Sequence, residues 1–200
     1  MGLLQIQKNQ WRDLRYWYIP IGIAIVSGAI ELFGAEAHYG LRYDRFAIED
    51  GKVWRLLTGH FVHLGTQHLI LNLAGLVLVW LLVGRQYTMR QWGLVILIAL
   101  VVIDFGFWYL DPGLEWYVGL SGLLHGLLIA GALTAYREMP VEALVILAAV
   151  TAKIMYEQMV GPMPGSESTA GGAVVVNAHL YGAIGGLVAG LIVRHSAGNR

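Results

Sequence analysis

The 200-residue sequence predicts an all-α membrane protein, a bundle of six transmembrane helices in a single domain spanning residues 1–200. Three observations predict it. Hydrophobic residues make up 57% of the chain and charged residues only 13%, with a mean hydropathy of +0.61, too apolar for a soluble domain of this size. Six stretches are long enough to cross a bilayer as helices. Aromatic residues cluster where those stretches end.

In order, the stretches are Tyr18 to Gly34, Leu64 to Val83, Trp92 to Leu110, Gly119 to Tyr136, Val141 to Met159 and Ala173 to Val193. The first follows a short amino-terminal segment, residues 1–17, whose basic residues resemble a signal peptide. It lacks a small-x-small cleavage site, so it reads as a retained helix. Tyr16-Trp17-Tyr18, Trp92, Trp108-Tyr109 and Trp116-Tyr117 supply the interfacial belt. Residues 35–59 and 160–172 are the longest irregular pieces. The second of these, with Pro162, Pro164 and several glycines and serines, reads as a mobile external loop.

Six crossings put both termini on one side, and the distribution of Lys and Arg chooses the side. Lys8, Arg12, Arg15, Arg85, Arg90, Arg137, Arg194 and Arg200, eight of the thirteen basic residues, fall in segments that are then cytoplasmic. The external first loop carries Arg42, Arg45, Lys52 and Arg55 against that trend. Zero formal net charge and a pI of about 7.1 argue against a nucleic-acid partner. The absence of cysteine removes disulfide and thiolate chemistry.

Polar side chains inside spans are costly and therefore suggest function. His68 and Asn72 are four apart on the second span, Ser121 and His125 four apart on the fourth, and each pair shares a helix face. His179 opens the sixth span on a stripe formed by Gly182, Gly186 and Gly190, a spacing that lets a neighbouring helix approach closely. All three spans run in the same direction. At 1.5 Å per residue Ser121 lies roughly 3 Å in, His68 roughly 6 Å, His179 roughly 9 Å and Asn72 roughly 12 Å.

That layer holds what acyl transfer needs. A serine hydroxyl becomes a competent nucleophile when a base takes its proton, a role open to His179 near neutral pH. Asn72, His68 and the backbone N–H of Ser121 are the donors available to a tetrahedral oxyanion. No acid is in evidence to complete a triad, so the expectation is a Ser121–His179 dyad with no cofactor. A metal site built from His60, His63, His68, His125 and His179 is disfavoured, because HExxH spacing and a carboxylate ligand are missing.

The ordered set Trp54-Arg55, His63, His68-x-x-x-Asn72, Gly119-Leu120-Ser121-Gly122 and Ala178-His179-x-x-Gly182-x-x-x-Gly186 resembles the rhomboid intramembrane serine proteases over nearly the whole chain. His125-Gly126 after the serine, and Lys153 with Glu157-Gln158 in the fifth span, look most like the rhombosortase subgroup. The resemblance implies a rhomboid-like bundle in a bacterial inner (cytoplasmic) membrane with its site facing the external, periplasmic side. Ser121 would be the nucleophile, His179 the general base, and His68 and Asn72 the oxyanion donors. Gly119 and Gly122 would support the serine, and His125 would support His179 by packing or by hydrogen bonding.

The implied partners are membrane lipids and transmembrane-anchored substrates, above all exported proteins with a C-terminal Gly-Gly-containing helix. The alternative is a non-catalytic rhomboid-like chaperone. Lys153 and Glu157, four apart, form either a structural ion pair or, with Gln158, a substrate contact. His60 and His63 are expected to fix the loop before the second span. Asp104 should face the bundle interior, and Trp54-Arg55 should anchor the first loop at the headgroups.

Overall fold

A computed structural model of the chain describes residues 14–198, with side chains from residue 15 to residue 193. Lys8, Arg12, Arg200 and the side chain of Arg194 lie outside the described residues. After a single 3-10 turn come α1 (Tyr18–Leu32) and α2 (Gly34–Leu41), which meet at a bend of 118° where Gly34 takes a φ of +71°. There follow β1 (Tyr43–Asp44), α3 (Arg45–Glu49), α4 (Arg55–Thr58), α5 (Thr66–Val83) and α6 (Met89–Phe105), the last continued by a π-helical turn over Gly106–Leu110. Then come β2 (Trp116–Tyr117), α7 (Ser121–Ala135), α8 (Pro140–Met159), the short α9 (Ser166–Ala170) and α10 (Val176–Gly198).

Each of the six apolar stretches thus contains a helix. By length and composition three helical segments, Thr66–Gln86, Met89–Leu110 and Val176–Val193, are sufficient to cross a membrane, and a fourth is added if the bent pair α1–α2 is one span. The start signals are local. Thr88 and Gln91 form a reciprocal capping box at the head of α6, and Pro140 occupies the first turn of α8, where its missing N–H costs nothing.

α7 is the centre of the bundle. Ten of its fifteen residues are buried, and it packs against α5, α6, α8 and α10. The closest of these contacts is with α10. A Cβ on Gly182 would overlap the carbonyl oxygen of Gly122, and one on Gly186 would overlap that of Gly126. The glycine stripe anticipated on α10 therefore meets a matching Gly-xxx-Gly pair on α7, and the two backbones touch. At 15 residues α7 is about 22 Å long. It falls about 8 Å short of a 30 Å hydrocarbon layer and is not among the segments long enough to cross one.

Trp80, Trp92, Val83 and Tyr87 belong to the same apolar core as Leu120, Leu123 and Leu127 around α7. Trp92 is 1% exposed and donates its indole N–H to the Gly84 carbonyl at 2.9 Å. It is an interior residue and does not belong to the interfacial belt. Tyr117, 3% exposed, is likewise interior, whereas Tyr18 and Tyr109 are exposed.

The first loop is more ordered than its sequence suggested. Besides α2, α3 and α4 it holds β1, which pairs antiparallel with β2, Tyr43 opposite Tyr117 and Asp44 opposite Trp116. Its arginines are structural. Arg45, 9% exposed, donates to the carbonyls of Phe107 at 2.5 Å, Asp111 at 3.0 Å, Leu114 at 3.1 Å and Trp108 at 3.4 Å. It thereby clasps the π-helical turn at the end of α6 and the loop that follows it. Arg42 bonds Asp44 at 3.0 Å and lies over the Tyr39 and Trp116 rings. Arg55, 8% exposed, donates to the Arg42 carbonyl at 3.0 Å. Arg55 is therefore a buried loop clasp and not a headgroup anchor, and only Trp54 of that pair is exposed.

Candidate active site

Ser121 is the first residue of α7, and His179 lies one turn into α10. Ser121 Oγ and His179 Nε2 are 2.9 Å apart. The glycine contacts below them hold α7 and α10 at a separation that two side chains of this length can bridge. His125, one turn below the serine, stacks on the His179 ring with centroids 4.3 Å apart and planes 23° apart. Its Nδ1 stands 2.7 Å from the Ser121 carbonyl, to which it donates. His125 thus meets His179 by ring packing, while its hydrogen bond goes to the Ser121 carbonyl.

The other face of His179 corrects an expectation. An acid does reach the histidine: Glu157 of α8, 3% exposed, places Oε2 at 2.8 Å from His179 Nδ1 and Oε1 at 2.7 Å from Lys153 Nζ. Lys153 Nζ is 3.2 Å from the same Nδ1. An ammonium and an Nδ1–H are both donors, so that approach follows from their shared carboxylate and is not a bond of its own. The hydrogen bond to Glu157 leaves Nε2 as the acceptor toward the serine hydroxyl. Gln158 is exposed and does not line the cavity.

A cavity of about 470 Å³ opens over these groups, lined by His68, Asn72, Ser121, His125, Lys153 and Glu157 together with His179. Part of its wall comes from Met163, Pro164, Ser166 and Thr169 of the segment between α8 and α10, which carries the short α9 in place of an irregular loop. Leu64 N–H donates to His68 Nδ1 at 3.2 Å, so the neutral ring carries its proton on Nε2. Asn72 Nδ2 spends one N–H on the His68 carbonyl at 3.1 Å and keeps its second. The backbone N–H of Ser121, in the first turn of α7, has no partner within its own helix, and the positive end of the helix dipole favours an anion there.

Gly119 shapes the entry to the serine. Its φ is +130°, a conformation that L side chains rarely adopt, and a Cβ would press on the His68 ring at 3.1 Å. Its carbonyl accepts from the Tyr117 hydroxyl at 2.6 Å, so β2 and the start of α7 are held in register.

The remaining polar residues are scaffold. His60, fully buried, bonds Asp104 at 3.2 Å through Nε2, which supplies the partner Asp104 lacked in the sequence. His63 is 2% exposed beside His68, ring centroids 5.1 Å apart. Burial first, then the like charge of His68, push it down to about 3, so it is neutral. Asp111, Asn177 and Tyr181 had no role in the sequence reading. Asp111 accepts from Asn177 Nδ2 at 2.9 Å and from the Tyr181 hydroxyl at 3.0 Å, latching α10 on both sides of His179. No three His, Asp or Glu side chains among the described residues converge to hold a metal ion.

No curated protein matches the chain. A family model described as the Rhomboid domain matches residues 50–196, from the end of α3 into α10, and so takes in every residue of the cluster. Members of that family are in general intramembrane serine proteases acting on transmembrane substrates. With nearly three quarters of its length matched, this chain, an integral membrane protein, belongs to the rhomboid family.

Proposed function

We propose that this protein is an intramembrane serine endopeptidase that cleaves the transmembrane anchor of exported proteins, with Ser121 as nucleophile and His179 as general base. The observation that carries the reading is the 2.9 Å contact between Ser121 Oγ and His179 Nε2 at the floor of a cavity. In acylation the Ser121 proton passes to His179 Nε2 as Oγ bonds the scissile carbonyl carbon. The oxyanion is held by the Ser121 N–H, His68 Nε2–H and the free N–H of Asn72. The C–N bond then breaks, the imidazolium gives its proton to the leaving amine, and water repeats the sequence on the ester.

The preferred substrate is an exported protein with a C-terminal Gly-Gly-containing membrane helix, as in rhombosortases. His125-Gly126 and the Lys153–Glu157 pair support that subgroup. Glycines weaken such a helix by about 1 kcal/mol each and favour local unwinding at the scissile carbonyl. The full arrangement is six crossings in a bacterial inner membrane, with both termini cytoplasmic and the cavity facing the periplasm. Substrate enters laterally beside α8, beneath the 160–172 segment. Membrane lipids surround the bundle and nucleic acid has no part.

The test is incubation of purified protein with a Gly-Gly-anchored substrate beside Ser121→Ala and His179→Ala. Cleavage by the wild type alone is expected. Equal products from all three proteins would refute the mechanism. Binding without cleavage by all three would favour a non-catalytic, chaperone-like protein.

A further inference from the structure

We propose that Glu157 is a positioning residue that extends the Ser121–His179 pair into a relay of three side chains from three helices, with Lys153 holding the carboxylate in place. The inference rests on the reading of Ser121 and His179 as nucleophile and base.

A buried carboxylate in a membrane helix is expensive unless fully engaged. A purely structural pairing with Lys153 would engage one oxygen and leave the other idle. Here Oε1 is taken by Lys153 at 2.7 Å and Oε2 by His179 Nδ1 at 2.8 Å, so the carboxylate bridges the two. The second contact is long-range, from α8 to α10, and helical spacing does not impose it.

Three consequences follow for the imidazole. Its proton is fixed on Nδ1, so Nε2 meets the serine hydroxyl as an acceptor. Its ring is held from the side by Glu157 and from below by the stacked His125, which fixes the direction of the Nε2 lone pair. The positive charge that appears on the ring in acylation faces an anion already in place. Glu157 takes no proton: the proton from Ser121 rests on Nε2 until the leaving amine receives it. Lys153 is one-third exposed at the cavity wall. It balances Glu157 in the resting enzyme, so the pair carries no net charge before reaction.

The experiment compares wild type, Glu157→Gln, Glu157→Asp, the double variant Lys153→Met/Glu157→Gln and Ser121→Ala on one anchored substrate, with kcat and KM measured separately. Glu157→Gln is expected to lower kcat about 10⁴-fold with KM within about twofold, by analogy with loss of the acid in serine-protease triads. Glu157→Asp is expected to recover part of that loss. The double variant leaves no lone buried charge and so separates folding from chemistry. It is expected to melt like the wild type and to remain as slow as Glu157→Gln.

A double variant with kcat within about threefold of wild type, beside an inactive Ser121→Ala, would overturn this inference and leave the protease reading intact. A wild type no faster than Ser121→Ala would instead overturn the protease reading. A third readout needs no variant to be active. The wild-type protein is expected to show a far-downfield imidazole N–H proton resonance, the signature of an Nδ1–H donated to a carboxylate. Its absence from the wild type would also overturn the inference.

Discussion

Gly182 of α10 lies so close to Gly122 of α7 that no side chain fits between them: a Cβ on the first would occupy the position of the second's carbonyl oxygen. Gly122 directly follows Ser121 and Gly182 lies one turn after His179, so helix spacing and the serine–histidine distance are one geometric quantity. Gly182→Ala is expected to push the helices apart and to destabilise by about 1–3 kcal/mol, the usual cost of overpacking. A 1 Å displacement of the reacting pair costs on the order of 100-fold in rate. Thermal midpoint and kcat, measured on the same preparation, check both parts. An Ala variant with wild-type values would mean that the helices do not touch here.

His125 separates packing from hydrogen bonding. His125→Phe keeps a ring beneath His179 and removes the bond to the Ser121 carbonyl. His125→Ala removes both. Because a stacked aromatic pair contributes about 0.5–1.5 kcal/mol, the Ala variant is expected to lose on the order of tenfold in kcat. The Phe variant should stay within about threefold of wild type, and equal losses would assign the role to the hydrogen bond instead.

Arg45 fastens the first loop to the end of α6 through four carbonyls. Arg45→Met removes all four bonds, leaving the Asp111 carbonyl only its bond from the Leu114 N–H, and is expected to destabilise by about 3 kcal/mol. Arg45→Lys keeps the charge but not the planar fork, and should restore less than half. Chemical denaturation in detergent monitored by tryptophan fluorescence provides the measurement, since Trp108 lies over the Arg45 guanidinium.

His63 gives the fold an acid sensitivity. Its folded-state value of about 3 lies below the ordinary value of 6.5. Between those two values the unfolded chain binds a proton that the folded chain refuses. Stability is therefore whole above pH ~6.5 and falls as the pH drops below it, by up to about 1.4 kcal/mol per pH unit from this group. His63→Leu should flatten the fall in thermal midpoint between pH 7 and pH 5. A variant as acid-sensitive as the wild type would remove His63 from the explanation.

Much of the site is legible in the sequence, because polar groups stand out against an apolar background and four-residue spacing fixes which of them share a face. His68 with Asn72, Ser121 with His125, and the stripe after His179 all belong to that kind. The contact of Glu157 with His179 is of another kind. Lys153 and Glu157 explain each other locally at i and i+4, and nothing in spacing says how α8 is rotated toward α10. Residues 35–59 were hard to read for a related reason. Helices of four to eight residues show too little periodicity, and β1 finds its partner more than seventy residues away. The arginines of that loop run against the distribution of basic residues elsewhere because Arg42, Arg45 and Arg55 are consumed by the fold. Trp92 reads as part of the interfacial belt in the sequence because position alone does not tell an aromatic facing lipid from one facing a neighbouring helix.

The central claim is that the Ser121 hydroxyl is made nucleophilic by His179. Mass spectrometry of the protein after exposure to a fluorophosphonate tests it most directly. The expected result is a single adduct on Ser121 in the wild type, absent from Ser121→Ala and strongly slowed in His179→Ala. An unmodified Ser121 in the folded wild-type protein, or equal labelling of wild type and His179→Ala, would contradict the account.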